Sequence, residues 1–143
     1  MQFFERSALV MHTPAQMFAL VNDVRRYPEF LPWCTASQVR EISECERVAT
    51  VQVERSVLRT SFTTRNTLIP GRKILMRLAE GPFRQLVGDW SFDPIGDQGA
   101  RVTFHVEFEF NNQLIAVALN SAFESVCAAM VDAFVERAKK VYG

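Results

Sequence analysis

The stretch that decides the fold is residues 101–142, RVTFHVEFEFNNQLIAVALNSAFESVCAAMVDAFVERAKKVY, which contains neither glycine nor proline. Apolar and polar residues alternate from Arg101 to Phe110, and a period of two predicts a strand with one buried face. From Asn112 onward the apolar residues recur at helical spacing, which predicts a helix of about 30 residues, or about 45 Å. No small globule buries such a helix inside itself, so we expect a curved sheet to wrap around it. The apolar gap that this arrangement leaves is the expected place for function.

The residues before this stretch supply the sheet. Gln2 to Met11 predicts a first strand, and Thr13-Pro14 predicts the start of a helix that ends near Val24. A second short helical piece follows around Glu29 to Leu31. From residue 36 to residue 110 six further strands follow without an intervening helix, which predicts antiparallel pairing. We therefore predict an α+β fold in one domain, residues 1–143: a curved antiparallel sheet of about seven strands around a long C-terminal helix, with two small helices after the first strand.

The composition narrows the class of protein. Sixteen basic and sixteen acidic residues give zero net charge, which argues against a general polyanion-binding protein. The three cysteines, at 34, 45 and 127, have no C-x-x-C spacing, so we predict neither a disulfide framework nor a zinc site. The N-terminus has no charged region followed by an apolar leader. We therefore expect a cytoplasmic protein.

One segment carries a family resemblance, residues 18–34, FALVNDVRRYPEFLPWC. It closely resembles the signature of the coenzyme-Q-binding START-like family, as do Gly81-Pro82-Phe83, residues 108–111 and residues 134–138. The resemblance covers the whole chain and implies the helix-grip fold. It also implies non-catalytic binding of ubiquinone or a related isoprenoid quinone in support of respiration, with the quinone as bound ligand and no cofactor. Other members of the family are bacterial ribosome association toxins, which implies the large ribosomal subunit as an alternative partner. A polyketide-cyclase-like enzyme is a third alternative.

The apolar face of the long helix and the strands opposite it are the candidate walls of a ligand cavity. The helix contributes a stripe at i, i+3, i+4 and i+7 spacing, together with small alanines that leave room, while methionine suits an adaptable wall. An isoprenoid quinone needs such a long, dry slot with few polar groups. We predict twelve cavity residues: Phe62, Leu68, Met76, Trp90, Phe104, Val106, Leu119, Ala122, Phe123, Val126, Met130 and Phe134.

The segment from Tyr27 to Cys34 is too rich in proline and large apolar residues to face a single core stripe. We predict that Phe30, Leu31 and Trp33, together with Phe83, form a lid at the cavity mouth. Such a lid would touch a lipid ligand or dip transiently into the inner surface of the membrane. The alternative is that these side chains hold the two small helices against the edge of the sheet.

The sequence offers little for catalysis. The only histidines are His12 and His105, and no nucleophile elbow, phosphate loop or metal-ligand cluster is present. We predict no catalytic residue and no metal, although an acid or base role for Asp89 remains an alternative.

Three arginines offer a different kind of site. Antiparallel pairing around one hairpin would bring Arg55, Arg59 and Arg65 together, as a phosphate-binding patch for ribosomal RNA. The alternative is a solvated sheet face. We predict no DNA partner.

Overall fold

The computed structural model describes all 143 residues and confirms the predicted architecture. Seven strands form one antiparallel sheet in the order β1-β7-β6-β5-β4-β3-β2. The strands are β1 (Gln2–Val10), β2 (Cys34–Ser43), β3 (Glu46–Arg55), β4 (Leu58–Ile69), β5 (Lys73–Glu80), β6 (Phe83–Ile95) and β7 (Gly99–Phe110). The helices are α1 (Pro14–Asn22), α2 (Tyr27–Phe30) and α3 (Gln113–Tyr142), with a 3-10 turn at Val24–Arg26.

The start of α1 is set by its capping residues. The Thr13 hydroxyl accepts from the Gln16 backbone N–H at 3.2 Å, and the Gln16 side chain accepts from the Thr13 backbone N–H at 2.9 Å. This reciprocal capping box satisfies two N–H groups that a helix start leaves without partners. At the other end of the chain, the Tyr142 hydroxyl donates to the Gln16 carbonyl at 3.0 Å. The end of α3 is thereby tied to α1.

The sheet curves around α3 because only one of its faces is apolar. In β7 the even-numbered residues from Ala100 to Phe110 are all buried, and none of the residues between them is. α3 packs chiefly against β1 and β7, which form one side of the grip. A gap is therefore left between α3 and the concave face of β3, β4 and β5.

Two groups of aromatic rings clamp α3 onto the sheet. The Phe123 ring lies 4.7 Å from Phe108 and 5.1 Å from Phe83, measured between centroids. Eleven residues later, the Phe134 ring lies 5.4 Å from both Trp90 and Tyr27. These edge-to-face contacts stabilise the packing beyond the area they bury. The stretch of α3 between the two clamps, about 16 Å long, is where the cavity lies.

Gly88 lies at a position of β6 where neighbouring backbone leaves no room for a side chain. It pairs with Met76 on β5 and with Val106 on β7, and an added Cβ would lie 2.6 Å from the His105 carbonyl oxygen. We expect Gly88→Ala to lower the free energy of unfolding by about 1–3 kcal/mol, because neighbouring backbone must shift. Urea denaturation measures the loss. Gln85→Ala on the exposed side of the same strand is the control, and equal stability of the two variants would contradict the prediction.

Candidate ligand-binding cavity

A cavity of about 70 Å³ lies between α3 and the concave face of the sheet. It is lined by 17 residues, of which 15 are hydrophobic. Strands β3 to β7 form its floor, α3 forms its roof, and Val24, Tyr27 and Trp33 close one side. Both tryptophans of the chain, Trp33 and Trp90, are in its wall.

Most of the predicted cavity residues meet in this wall. Eight of the twelve line the cavity: Phe62, Met76, Trp90, Phe104, Val106, Phe123, Val126 and Met130. The sheet residues come from alternate positions on neighbouring strands, and the helix residues come from the stretch between the aromatic clamps. The helical and strand periods therefore place these side chains on facing surfaces, as expected.

The other four predicted cavity residues are outside the wall, and for them the prediction is wrong. Leu68 is buried beyond the cavity end, where it pairs with Ile74. Phe134 is fully buried in an aromatic clamp, so its ring closes the cavity end. Leu119 and Ala122 are partly buried near the start of α3. The helical stripe continues past both ends of the cavity, so the period alone cannot mark where the cavity stops.

The cavity has two polar side chains, Thr64 and Asn66, which the sequence reasoning missed. Both are buried, and the Thr64 hydroxyl donates to the Asn66 Oδ1 at 2.7 Å. They lie on β4 between Phe62 and Leu68. Because side chains alternate along a strand, residues 62, 64, 66 and 68 share one face. Placing Phe62 and Leu68 on the cavity face therefore implies that Thr64 and Asn66 face the cavity too, and this alternation could have identified the polar pair.

The ionisable groups in the wall are neutral at physiological pH. Burial raises the pKa of the Cys127 thiol, with a smaller contribution from the charge of Glu124. Burial likewise raises the pKa of the Tyr27 phenol, which donates a hydrogen bond to the Val21 carbonyl. Both groups therefore keep their protons. No group of three His, Cys, Asp or Glu side chains is arranged to hold a metal ion.

The predicted lid is not an exposed one. Leu31, Trp33 and Phe83 expose 0%, 3% and 5% of their surface, so none of them can dip into a membrane. Trp33 belongs to the cavity wall, and Phe83 stacks on Phe110 at 4.5 Å. The prediction of a membrane-dipping lid is wrong for these three residues, because the segment folds inward and fills the grip.

Phe30 is the one member of the predicted lid that is partly exposed. Its ring lies 5.5 Å from that of Phe134 and 6.2 Å from that of Tyr27. The Arg137 guanidinium covers its outer side, 4.8 Å from the ring centroid. These contacts fit the alternative interpretation, in which the side chains of this segment hold the small helices in place.

One group of exposed apolar side chains lies at the start of α3. Leu114 and Val117 are 93% and 83% exposed, and Ile115 is 50% exposed. Val57, in the β3–β4 turn at the same end of the sheet, is 63% exposed. By length and composition alone α3 could cross a membrane, a property that the central helix of a globular domain can share.

The three arginines predicted to form an RNA patch are not together. Arg55 and Arg59 flank the β3–β4 turn, but Arg65 lies six residues further along β4, about 20 Å away. There Arg65 binds the carboxylate of Glu46, and its hydrogen bond holds the pKa of that carboxyl below its usual range. The prediction of one patch is wrong, because β4 is long and carries Arg65 away from the turn.

Known proteins resemble this chain along its whole length. Residues 10–135 match the family described as polyketide cyclase / dehydrase and lipid transport. The chain is 47% identical to the ribosome association toxin RatA of Vibrio cholerae, over 100% of this chain and 99% of that protein. It is 27% identical to the mitochondrial coenzyme Q-binding protein COQ10 of Drosophila melanogaster, over 99% of this chain and 60% of that protein.

A solved structure shares the fold. The aromatase/cyclase Zhui of Streptomyces sp. R1128 superimposes with a TM-score of 0.90, over 99% of this chain and 96% of that one, at 16% identity. At that identity the likeness establishes the helix-grip fold alone. Together with the match over residues 10–135 and the near-complete alignment to RatA, it identifies this chain as a member of the polyketide cyclase / dehydrase and lipid transport family, the START-like family that its sequence resembles.

Proposed function

We propose that this protein binds an isoprenoid quinone such as ubiquinone between α3 and the sheet, and carries it in support of respiration without transforming it. The observation that carries the proposal is an apolar cavity with a single amide in its wall, that of Asn66. Similarity to COQ10 supports the same ligand class. An apolar site with few, well-placed polar groups is the usual form of a small-molecule site.

The Asn66 amide, at the cavity wall, has an N–H group available to a ligand. The Thr64 hydroxyl occupies the Asn66 Oδ1, and the Asn66 Nδ2 donates to no protein acceptor. A quinone carbonyl oxygen in the cavity would accept from Nδ2, and the net contribution of such a hydrogen bond is about 0.5–1.5 kcal/mol. The hydrocarbon parts of the ligand would meet the apolar wall.

The cavity must widen to take a quinone head group, with the isoprenoid tail extending beyond it. The volume of about 70 Å³ is well below the roughly 300–1,000 Å³ of typical ligand pockets. We propose that α3 moves away from β3 and β4 when ligand enters, because its main contacts are with β1 and β7. Met130, partly buried in the wall, has the flexible side chain that such a change needs.

The route to the ligand would be a transient contact with a membrane surface. We propose that the protein is cytoplasmic and that Leu114, Ile115 and Val117 make this contact, because they are the exposed apolar side chains of α3 nearest its start. An amphipathic helix end of this kind can lie in the interfacial region of a bilayer. The three buried lid residues then have no part in membrane contact.

We also propose that the protein catalyses no reaction on the ligand. The two polar groups in the wall, a threonine hydroxyl and an asparagine amide, do not titrate near neutral pH. Cys127 and Tyr27 keep their protons. A cyclase-like reaction would instead need turnover that depends on an ionisable cavity group, and Asp89 lies on the strand positions that face away from the cavity.

The test is the double variant Thr64→Val/Asn66→Leu. We expect ubiquinone to bind about tenfold more weakly, because one hydrogen bond to a buried amide is lost. Squalene, an isoprenoid hydrocarbon without carbonyls, should bind equally well to both proteins. Quenching of Trp33 and Trp90 fluorescence reports quinone binding directly, since both side chains line the cavity, and squalene is measured by competition.

The matched control is Ser61→Val/Thr67→Leu, which makes similar changes on the outward face of the same strand. It should bind both ligands like the wild type. Unchanged quinone affinity in the Thr64/Asn66 variant would refute recognition of the carbonyl by this pair.

A second candidate function is binding of the large ribosomal subunit, with inhibition of subunit association and translation initiation. The 47% identity to RatA over the complete chain favours it. The two functions are compatible, because the cavity is internal and the outer surface is free. Cosedimentation of the protein with purified bacterial large subunits tests it, and a protein that stays in the supernatant would refute it.

A further inference from the structure

The chain has no net charge, but basic and acidic side chains are distributed unevenly over the strands on the convex face of the sheet. On β2 to β5 this face carries five basic side chains against three acidic ones, the basic ones being Arg40, Arg59, Arg65, Lys73 and Arg77. On β6, β7 and β1 it carries five acidic side chains against two arginines, the acidic ones being Asp89, Asp93, Glu107, Glu109 and Glu5. The face therefore has a basic half and an acidic half.

Three arginines of the basic half lie in one row across the strands. Arg40 pairs with Val48, Val48 with Arg65, and Arg65 with Arg77. With neighbouring strands about 4.8 Å apart, the row spans about 14 Å. All three arginines are exposed. We call this row, Arg40–Arg65–Arg77, the arginine row.

The arginine row has more positive charge than the protein itself neutralises. Like charges directly opposite each other in a sheet are destabilising, and Arg65 is directly opposite Arg77. Glu46 pairs with Arg65, while neither Arg40 nor Arg77 forms an ion pair. Arg65 is thus the one member of the row with an ion-pair partner, and Arg65 and Arg77 share a surface depression with the carboxylates of Asp89 and Glu107. An external anion bound along the row would relieve the repulsion.

The shape and chemistry of the row fit an RNA backbone. Guanidinium groups bind phosphate through two parallel hydrogen bonds, and a nucleic-acid strand presents phosphates at short, regular intervals. A line of three exposed arginines can therefore contact the phosphates of one RNA strand. The acidic half would repel the same strand and keep it on β2 to β5.

We infer that the arginine row is an RNA-phosphate-binding surface through which the protein contacts the large ribosomal subunit. This inference rests on the second function proposed above and assigns a surface to it. The surface is on the convex side of the sheet, opposite the cavity. RNA and a cavity ligand would therefore bind without competing for space.

The test compares two triple variants of the full chain. The first is Arg40→Gln/Arg65→Gln/Arg77→Gln. The second, a control with the same change in charge, is Arg25→Gln/Arg84→Gln/Arg101→Gln, at exposed sites outside the row. Binding to purified bacterial large subunits is measured by sedimentation from about 50 to 200 mM salt. Circular dichroism reports that each variant is folded.

We expect the row variant to bind large subunits at least about tenfold more weakly at low salt. The slope of log affinity against log salt should fall in magnitude by about 2, because each lost phosphate contact to a single strand contributes about 0.7. The control should keep most of the wild-type affinity. An unchanged slope in the row variant, or an equal loss in the control, would overturn the inference.

A single-stranded RNA of about 20 nucleotides separates this inference from the function on which it rests. If the wild type fails to sediment with large subunits, the ribosome function is refuted. RNA binding that weakens only in the row variant would then still support the surface. If the wild type also fails to bind the RNA, or if the row variant binds it like the wild type, the inference is overturned.

Discussion

Met130→Trp is expected to reduce the amount of ubiquinone that the protein retains from near one per chain to below about a tenth. Met130 lies in the cavity wall between the two aromatic clamps, and the cavity has only about 70 Å³ to lose. The larger, rigid indole would occupy the space into which the head group must enter. Solvent extraction of the purified protein followed by mass spectrometry measures the bound lipid.

The control for this variant is Ser125→Trp, which adds the same side chain at an exposed position of the same helix. It should retain quinone like the wild type. Overpacking by Met130→Trp should cost no more than about 1–3 kcal/mol of stability, so the variant should stay folded, as circular dichroism can establish. Full retention of quinone by the folded Met130→Trp protein would rule out this cavity as the binding site.

Phe134→Ala is expected to lower the free energy of unfolding by about 3–5 kcal/mol, the usual cost of deleting a buried phenylalanine ring. Phe134 is 1% exposed and holds α3 against Trp90, Tyr27 and Phe30. Its removal would open the clamp at the C-terminal end of the cavity. Urea denaturation followed by circular dichroism measures the change.

Phe3→Ala is the matched control, because Phe3 is 64% exposed on the convex side of β1. We expect that variant to lose less than about 0.5 kcal/mol. If Phe134→Ala is too unstable to purify, Phe134→Leu should lie between the two. A loss below about 1 kcal/mol for Phe134→Ala would show that the clamp does not hold the helix.

The sequence predicted the two surfaces of the cavity, but not its ends. The helical stripe of α3 includes Phe134, Met130 and Leu119 alike, because all three face inward at helical spacing. Only Met130 lines the cavity. The others differ because rings from distant strands fill the space beside Phe134, and because Leu119 lies nearer the exposed start of α3. Both differences arise from packing between elements. The period of a single helix predicts which side chains face inward, but it does not predict what packs against them.

For the arginines, too, one feature could be predicted from the sequence and another could not. The distance between Arg59 and Arg65 follows from strand geometry, so their separation could have been predicted from the length of the strand. The pairing of Arg65 with Arg77 could not, because it depends on the register that the β4–β5 turn sets, with Ile69 opposite Lys73. A change of register by one residue would place different side chains opposite each other.

The amino-acid sequence by itself determined the elements of this protein, their order and the antiparallel sheet around a long helix. Hydrophobic period, capping residues and turn residues are local properties, and they suffice for that purpose. Only the tertiary structure decided that the Tyr27–Cys34 segment turns inward, that Thr64 and Asn66 form the polar pair in the cavity, and that the arginine row lies on the opposite face. Each of these depends on contacts between residues far apart in the chain, whose geometry is set by register and by how the aromatic rings fill the grip.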